Sequence, residues 1–217
     1  MSVFFFFCTA DVPASNHHAY YALLTHILNS FMDQLARYHS PDCPNFFCVV
    51  RTPEQTEFDS YGTELPTSDF STGFNDATDT ELRLWARNKI SELRKQGNEG
   101  MLQYYWIAVM DEQSGHDSTI VLHYNEELSL WAQSLEDAEL PFNIPGDADV
   151  LEDDIWWRWR LPISGAHHLF NSVDDGDFVM IGLFSRPEYV GSNGVVNVDI
   201  PVKIIRGEIP DPITEES

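Results

Sequence analysis

The chain has few basic residues: 12 Lys and Arg stand against 35 Asp and Glu, so the formal net charge is −23 at pH 7. Binding to a nucleic-acid backbone or an anionic membrane surface requires positive charge. No apolar run approaches the roughly 20 residues of a membrane-spanning helix. The short apolar run at residues 3–8 lacks the preceding Lys or Arg of a signal peptide. We therefore expect neither nucleic acid nor a membrane as a partner.

Cysteine is also scarce. The three cysteines, Cys8, Cys43 and Cys48, form an odd and sparse set, which is not typical of a disulfide framework. The spacing of Cys43 and Cys48 differs from the C-x-x-C pair of zinc sites, and no second pair follows. We expect buried free thiols, no metal ligands and a cytoplasmic location.

Several sequence motifs are missing. The chain contains neither the G-x-G-x-x-G nor the G-x-x-x-x-G-K-[ST] phosphate-binding pattern. Its eight histidines include no H-E-x-x-H motif, and its acidic residues do not follow the order of a calcium-binding loop. The sequence therefore predicts no metal ion and no nucleotide or other cofactor.

The chain does have the material for a core. Its 217 residues are 43% hydrophobic and 13% aromatic, which suits one domain with its own interior. We assign residues 1–206 to a single domain. Residues 207–217 are acidic, contain two prolines and are predicted to be a tail.

Hydrophobic periodicity predicts three helices. Apolar residues recur every three or four positions over residues 16–39, with His26 on the opposite side. A second helix begins at Thr78, which has the capping-box spacing to Glu81, and ends at Gly97 or Gly100. A short helix is expected around residues 126–135.

Seven segments are predicted to be strands, and the early strand–helix–strand order favours helices packed against a sheet. The fold class is α+β or α/β, with a mixed sheet of about six to seven strands, two long amphipathic helices and one short helix. Residues 52–77 are predicted to be a long loop that could act as a lid. The predicted strands are residues 3–10, 45–51, 101–110, 119–124, 155–163, 177–184 and 195–205.

Charge is distributed unevenly, since residues 96–157 contain no Lys or Arg. The acidic segment 136–154 is either a solvated loop, a surface for a basic protein partner or a divalent-cation site. Arg83, Arg87 and Arg94 form a row beside the apolar stripe of the second helix. This row either pairs with carboxylates of the chain itself or binds an anionic ligand.

The densest candidate site is residues 154–168. Period-two alternation places Trp156, Arg158 and Arg160 on one strand face, where they could bind a flat or anionic molecule. The predicted catalytic residues are His168, His167 and Asp154, and His17 is a further ligand-binding candidate at the start of the first helix. The alternative is an outward strand face on which arginine stacks on Trp156 and pairs with Asp154, and for His17 the alternative is a capping or half-buried structural histidine.

Two functions remain open. The first is binding of a small molecule, with catalysis of an isomerase, cyclase or hydrolase type as one use of an aromatic, Arg- and His-containing pocket. The alternative is a non-catalytic acidic interaction protein, such as an inhibitor or polyanion mimic. An enclosed pocket at Arg158, Arg160 or His168 favours the first, and a continuous acidic surface without a cavity favours the second.

Overall fold

The protein contains one mixed β-sheet. The computed structural model describes residues 2–10, 22, 25, 26, 29, 30, 46–59, 62–64, 72–173 and 177–212. Six strands follow in the order β2-β1-β3-β4-β6-β5. β1 pairs in parallel with β2 and β3, and the remaining neighbours pair antiparallel. The strands are β1 (Val3–Cys8), β2 (Phe47–Val49), β3 (Leu102–Met110), β4 (Thr119–Glu127), β5 (Asp149–Leu151) and β6 (Asp154–Pro162).

Helices cover both faces of this sheet. α1 packs on one face, and α3 to α6 contribute to the apolar cluster on the other. The expected mixed α+β class and sheet size are therefore confirmed. Six helices have both ends among the described residues: α1 (Asp79–Gln96), α2 (Glu112–Asp117), α3 (Leu128–Asp137), α4 (Ala166–Val173), α5 (Phe178–Phe184) and α6 (Asp199–Ile205).

β1 is buried on both faces, as its continuous apolar sequence predicts. Phe4 and Phe6 point into the cluster shared with α3 to α6. Phe5 and Phe7 point the other way, and the rings of both lie 5.5 Å from Trp85 of α1. β1 therefore joins the two halves of the core.

Both ends of α1 are where the sequence predicts them. The hydroxyl of Thr78 accepts from the backbone N–H of Glu81, and the Glu81 carboxylate accepts from the backbone N–H of Thr78. Gly97 ends the helix at φ 69°, a left-handed conformation that glycine adopts without a steric penalty.

Part of the first predicted helix is described. Residues 22, 25, 26, 29 and 30 are helical, and His26 is exposed as expected. The apolar stripe assigned to residues 16–39, and the candidate His17, lie outside the described residues.

Two predicted strands are wrong. Residues 177–184 form α5, because Asp177 caps the helix by accepting from the N–H groups of Val179 and Met180. Residues 199–205, within the alternating segment 195–205, form α6. Pro201 lies in the first turn of α6, where a backbone N–H has no partner within the helix, so proline is tolerated.

Two segments expected at the periphery are fastened to the body of the protein. Within the predicted 52–77 loop, the carbonyl of Pro53 accepts from Nε1 of Trp85 at 3.1 Å. In the predicted 207–217 tail, the Asp211 carboxylate accepts from both terminal nitrogens of Arg186 at 2.7 and 2.9 Å.

Candidate functional site

The predicted alternation on β6 is present, but the strand is not half-buried. It lies between β4 and β5, and Arg158 is its only exposed residue. Trp156, Arg158 and Arg160 share the face towards α1. The Trp156 ring is buried there, 5.4 Å from the guanidinium carbon of Arg83. Trp156 is therefore part of the core beneath α1.

The two arginines on this face pair with carboxylates of the chain itself. Nε of Arg158 donates to the Asp79 carboxylate at 2.7 Å. Arg160, which is 5% exposed, donates to both oxygens of Asp111 and to the hydroxyl of Thr119. Binding of an anionic ligand by Arg158 and Arg160 stays a prediction, and such a ligand would have to compete with these partners.

The two candidate histidines lie elsewhere. His167 and His168 belong to α4, whose Leu169 and Phe170 pack into the cluster on the face opposite Trp156. Burial lowers the pKa of His168, and the charge of Arg206 lowers it further. The structure does not bring this pair to Arg158 or Asp154. Their catalytic role stays a prediction without support from proximity.

A buried polar cluster links α1 to β4 instead. Nε of Arg83 donates to Nδ1 of His123 at 3.1 Å, and Nε2 of His123 lies 3.4 Å from Oδ1 of Asp79. Asp79 in turn accepts from Arg158. Because the guanidinium donates to Nδ1, the neutral imidazole carries its proton on Nε2, facing Asp79.

The electrostatics of this cluster favour a neutral histidine beside an ionised aspartate. Burial lowers the pKa of His123, and the attraction of Asp79 only partly opposes this effect. Burial raises the pKa of Asp79, but the close approach of Nε2 of His123 and the charges of Arg158 and Arg83 outweigh it and lower the pKa well below its usual range. His123 is fully buried and joins two elements of the fold without access to a ligand, whereas Asp79 and Arg158 at the edge of the cluster are partly exposed.

The arginine row of α1 meets the acidic segment. Arg83 contacts Asp149 at 2.5 Å, and Arg87 pairs with Glu152 and lies 3.7 Å from Oδ2 of Asp154. The prediction that the row pairs with the chain's own carboxylates is therefore confirmed for Arg83 and Arg87.

A polar cavity opens where β3 and β4 separate. The β3–β4 ladder ends at Trp106 and Tyr124, and the register of β1 against β3 shifts by a bulge before Ile107. The resulting cavity has a volume of about 370 Å³, within the range of small-molecule sites. We call it the tyrosine–carboxylate cavity; it is lined by Arg94, Gln103, Tyr104, Tyr105, Tyr124, Asn125, Glu126, Glu127 and Asp154.

Two buried side chains of this cavity have unused hydrogen-bonding capacity. Asp154 is 5% and Asn125 6% exposed. Within the described part of the chain, Oδ2 of Asp154 accepts no hydrogen bond, although Nε of Arg87 lies 3.7 Å from it in an ion pair, and Nδ2 of Asn125 donates none. Buried polar atoms in native proteins normally have partners, so an unused acceptor and an unused donor in one cavity indicate a place for a ligand.

Desolvation raises the pKa of Asp154, and the nearby carboxylate of Glu127 adds to this effect while Arg87 opposes it. Burial and the charge of Asp154 also raise the pKa of Tyr104. Carboxyl groups with raised pKa values are common at sites that bind or transfer protons. Asp154 is thus the one predicted catalytic residue that lines this cavity.

Sequence reasoning missed most of the cavity. Tyr104, Tyr105 and Asn125 stand in segments that read as ordinary strands, and the strand separation depends on a bulge that the pattern does not reveal. One signal in the sequence was usable: the polar residues His123 and Asn125 alternate with the apolar Leu122 and Tyr124 on β4, which places polar side chains together on one face of the strand.

Neither the described residues nor the comparisons with known proteins indicate a metal site, a membrane helix or a family. Among the described residues, no cluster of three or more His, Cys, Asp or Glu side chains could hold a metal ion. In the same part of the chain, no helix combines the length and apolar character needed to cross a bilayer. No protein-family model, curated protein or solved structure matches the chain.

Proposed function

We propose that the protein binds a small organic amine in the tyrosine–carboxylate cavity. The observation that carries the proposal is the pair of buried groups without hydrogen bonds, Oδ2 of Asp154 and Nδ2 of Asn125. An ammonium group supplies N–H donors for the carboxylate, and a hydroxyl or carbonyl on the same ligand supplies an acceptor for the amide.

The charge of the cavity supports a cationic ligand. Three carboxylates line it, those of Glu126, Glu127 and Asp154, against the guanidinium of Arg94 in the lining and that of Arg87, which forms an ion pair with Asp154 at 3.7 Å. Arg94 also donates to the side chain of Gln103 at 3.1 Å. A cation therefore gains attraction from the wall, whereas an anion meets repulsion from most of it.

The tyrosines add a second contribution. Tyr104, Tyr105 and Tyr124 line the same cavity, and aromatic rings attract ammonium groups through cation–π contact. The hydroxyl of Tyr124 donates to Glu126 at 2.8 Å, which helps to hold this part of the wall in place. Rigid walls reduce the ordering cost of binding.

The carboxyl group of Asp154 could also take part in catalysis. A buried Asp154 with a raised pKa can exchange a proton with a bound ligand. Catalysis without a metal or nucleotide cofactor stays part of the proposal. So does a cytoplasmic location, which the buried free thiol of Cys48 supports.

Three ligands of matched size test the proposal: 4-aminobutan-1-ol, the neutral 1,4-butanediol and the anionic 4-hydroxybutanoate. In thermal-shift and calorimetric titrations at fixed ionic strength, we expect the amine to stabilise the protein and the other two to have no effect. Equal stabilisation by the diol or the anion would contradict the assignment of a cation site.

A matched pair of variants separates the cavity from general attraction by the acidic chain. Asp154→Asn and Asp153→Asn remove the same charge from neighbouring positions, but Asp153 is exposed and does not line the cavity. Asp154→Asn should weaken amine binding about tenfold or more, since it removes a charge-assisted contact. Asp153→Asn should bind the amine with the same affinity as the parent protein.

A further inference from the structure

A second concavity lies on the opposite side of the sheet from α1. It has a volume of about 380 Å³ and lies between α3, the loop that follows α3, and α5. We call it the apolar groove. The residues used below are Trp131, Leu140, Pro145, Val179, Gly182 and Arg186, all of which line it.

Bulky apolar side chains are exposed in and beside this groove. Val179 is 55% and Leu140 46% exposed, and Phe142, in the same loop as Leu140, is 59% exposed. Several exposed apolar side chains in and beside one groove are typical of a docking site. The exposure would decrease if another chain covered the groove.

The groove is held open by hydrogen bonds. The carbonyl of Asn143 accepts from Nε1 of Trp131 at 2.8 Å, and the carbonyl of Pro145 accepts from Nε1 of Trp157 at 3.0 Å. These bonds fix the loop against α3 and β6. A partner would therefore meet a preformed surface, which lowers the ordering cost of association.

Exposed carboxylates flank the groove segments along the chain, and we call them the acidic rim. Glu136, Glu139 and Asp147 are exposed and stand next to or near groove residues in the sequence. Residues 96–157 contain no Lys or Arg. Among the described residues that line the groove, Arg186 is the one basic residue, and Asp211 binds its guanidinium through two hydrogen bonds.

We infer that the apolar groove binds an amphipathic segment of another protein, with apolar side chains in the groove and Lys or Arg residues over the acidic rim. Charge complementarity selects this occupant. A second copy of the chain carries the same charge of −23 and would be repelled. The inference goes beyond amine binding and concerns a different site.

The first part of the test measures binding of labelled peptides by fluorescence anisotropy. The probe is an 18-residue helical peptide of Leu and Lys with one apolar face, compared with oligolysine of equal charge and with a Leu/Glu peptide. We expect the Leu/Lys peptide to bind at least tenfold more tightly than both others. Oligolysine binding as tightly as the Leu/Lys peptide would overturn the inference, because charge alone would then explain the affinity.

Paired variants locate the binding surface. A Cβ atom at Gly182 would lie 3.9 Å from Cβ of Pro145, an ordinary contact, so Gly182→Ala should bind normally. Gly182→Leu extends into the groove and should weaken binding at least tenfold, as expected for blocking the centre of an interface. Equal affinity of the Ala and Leu variants would overturn the inference.

A surface pair covers the case in which Gly182→Leu does not fold. Val179→Lys places a cation in the groove, whereas Val150→Lys makes the same change at a residue of similar exposure on β5. Only Val179→Lys should weaken peptide binding, by at least tenfold, and the same loss in both variants would overturn the inference.

Sedimentation equilibrium tests whether a second copy of the chain occupies the groove. A dimer that is lost in Val179→Lys would overturn the inference. Asp154→Asn should leave peptide binding unchanged even if amine binding fails.

Discussion

Arg83 of α1 donates from Nε to Nδ1 of His123 on β4, so an always-charged side chain sets the proton position of a fully buried imidazole. The second imidazole nitrogen then faces Asp79, one helical turn before Arg83. Two residues of one helix turn thus contact both nitrogens of one ring. The arrangement orients α1 on the sheet and leaves no room for a second proton without cost, since protonation at Nδ1 would place it against the guanidinium.

The first prediction concerns acid stability. Because burial lowers the pKa of His123 in the folded state, the unfolded state binds more protons below about pH 6.5. The stabilisation from a neutral His123 is therefore present at higher pH and is lost as the pH falls below that value. In urea titrations between pH 7.5 and 5.5, His123→Gln should remove a dependence of up to about 1.4 kcal/mol per pH unit.

His26→Gln is the matched control, since His26 is an exposed histidine. It should retain the pH dependence of the parent protein. If the stability of His123→Gln depends on pH as that of the parent protein does, protonation of His123 is not the cause of the loss of stability in acid.

The second prediction compares two ion pairs on one face of β6, that of Arg160 with Asp111 and that of Arg158 with Asp79. Asp111→Ala leaves the buried guanidinium of Arg160 without its carboxylate and should lower the free energy of unfolding by about 3 kcal/mol. Arg158→Ala removes a pair between two partly exposed side chains and should cost about 0–1 kcal/mol. Chemical denaturation of both variants measures the difference, and equal costs would contradict the burial argument.

The third prediction concerns Asp154. Because burial raises its pKa, its contribution to stability is present in acid and is lost as the pH rises through the raised value. At pH 7 the ionised side chain is therefore a penalty, and Asp154→Asn should raise the free energy of unfolding by about 0.5–2 kcal/mol. Arg87 keeps Glu152 as a partner in this variant.

The gain from Asp154→Asn should shrink towards pH 4, and Asp153→Asn should show little gain at any pH. Greater stability combined with weaker amine binding is the pattern expected of a residue kept for function. A loss of stability at pH 7 would mean that the carboxylate is structural.

The fourth prediction concerns the loop that borders the apolar groove. Gly146 has φ 73°, and a Cβ atom there would lie 2.5 Å from Cβ of Ser185. Gly146→Ala therefore combines left-handed strain with a steric overlap and should cost about 2 kcal/mol or more. Gly97 has a similar φ, but a Cβ atom there would have no neighbour within 4 Å. Gly97→Ala should therefore lower the free energy of unfolding by about 1 kcal/mol, from backbone strain alone, as measured by thermal denaturation.

The sequence predicts those elements whose signals are local. The capping box at Thr78 and the continuous apolar run of β1 depend on neighbouring residues, and both are confirmed. The alternating segment 195–205 misleads, because its period-two pattern matches a strand, whereas Val198 and Val202 pack a helix, α6, onto the apolar cluster. Burial of β6 on both faces depends on α1 on one side and on α3 to α6 on the other, which no local pattern encodes.

The candidate site shows the same division. Asp154 could be identified from its place beside the tryptophan strand, and it does line a cavity. Tyr104 and Asn125 could not be identified, because they meet only where β3 bulges away from β4. His167 and Arg158 are close in sequence but belong to opposite faces of the sheet, since Ile163–Gly165 turns the chain across its edge.

The position of β1 has a consequence for synthesis of the protein. β1 is made before both of its partners, and β3 follows it by about a hundred residues. During that interval the segment VFFFFC offers unpaired backbone groups, without a charge or a proline to discourage pairing with another chain. Nascent chains must therefore stay apart until Leu102–Met110 has been added, and mutual repulsion between the acidic chains favours this delay. Neutralising surface carboxylates should accordingly lower the yield of folded protein on the ribosome more than it lowers the stability of the finished fold.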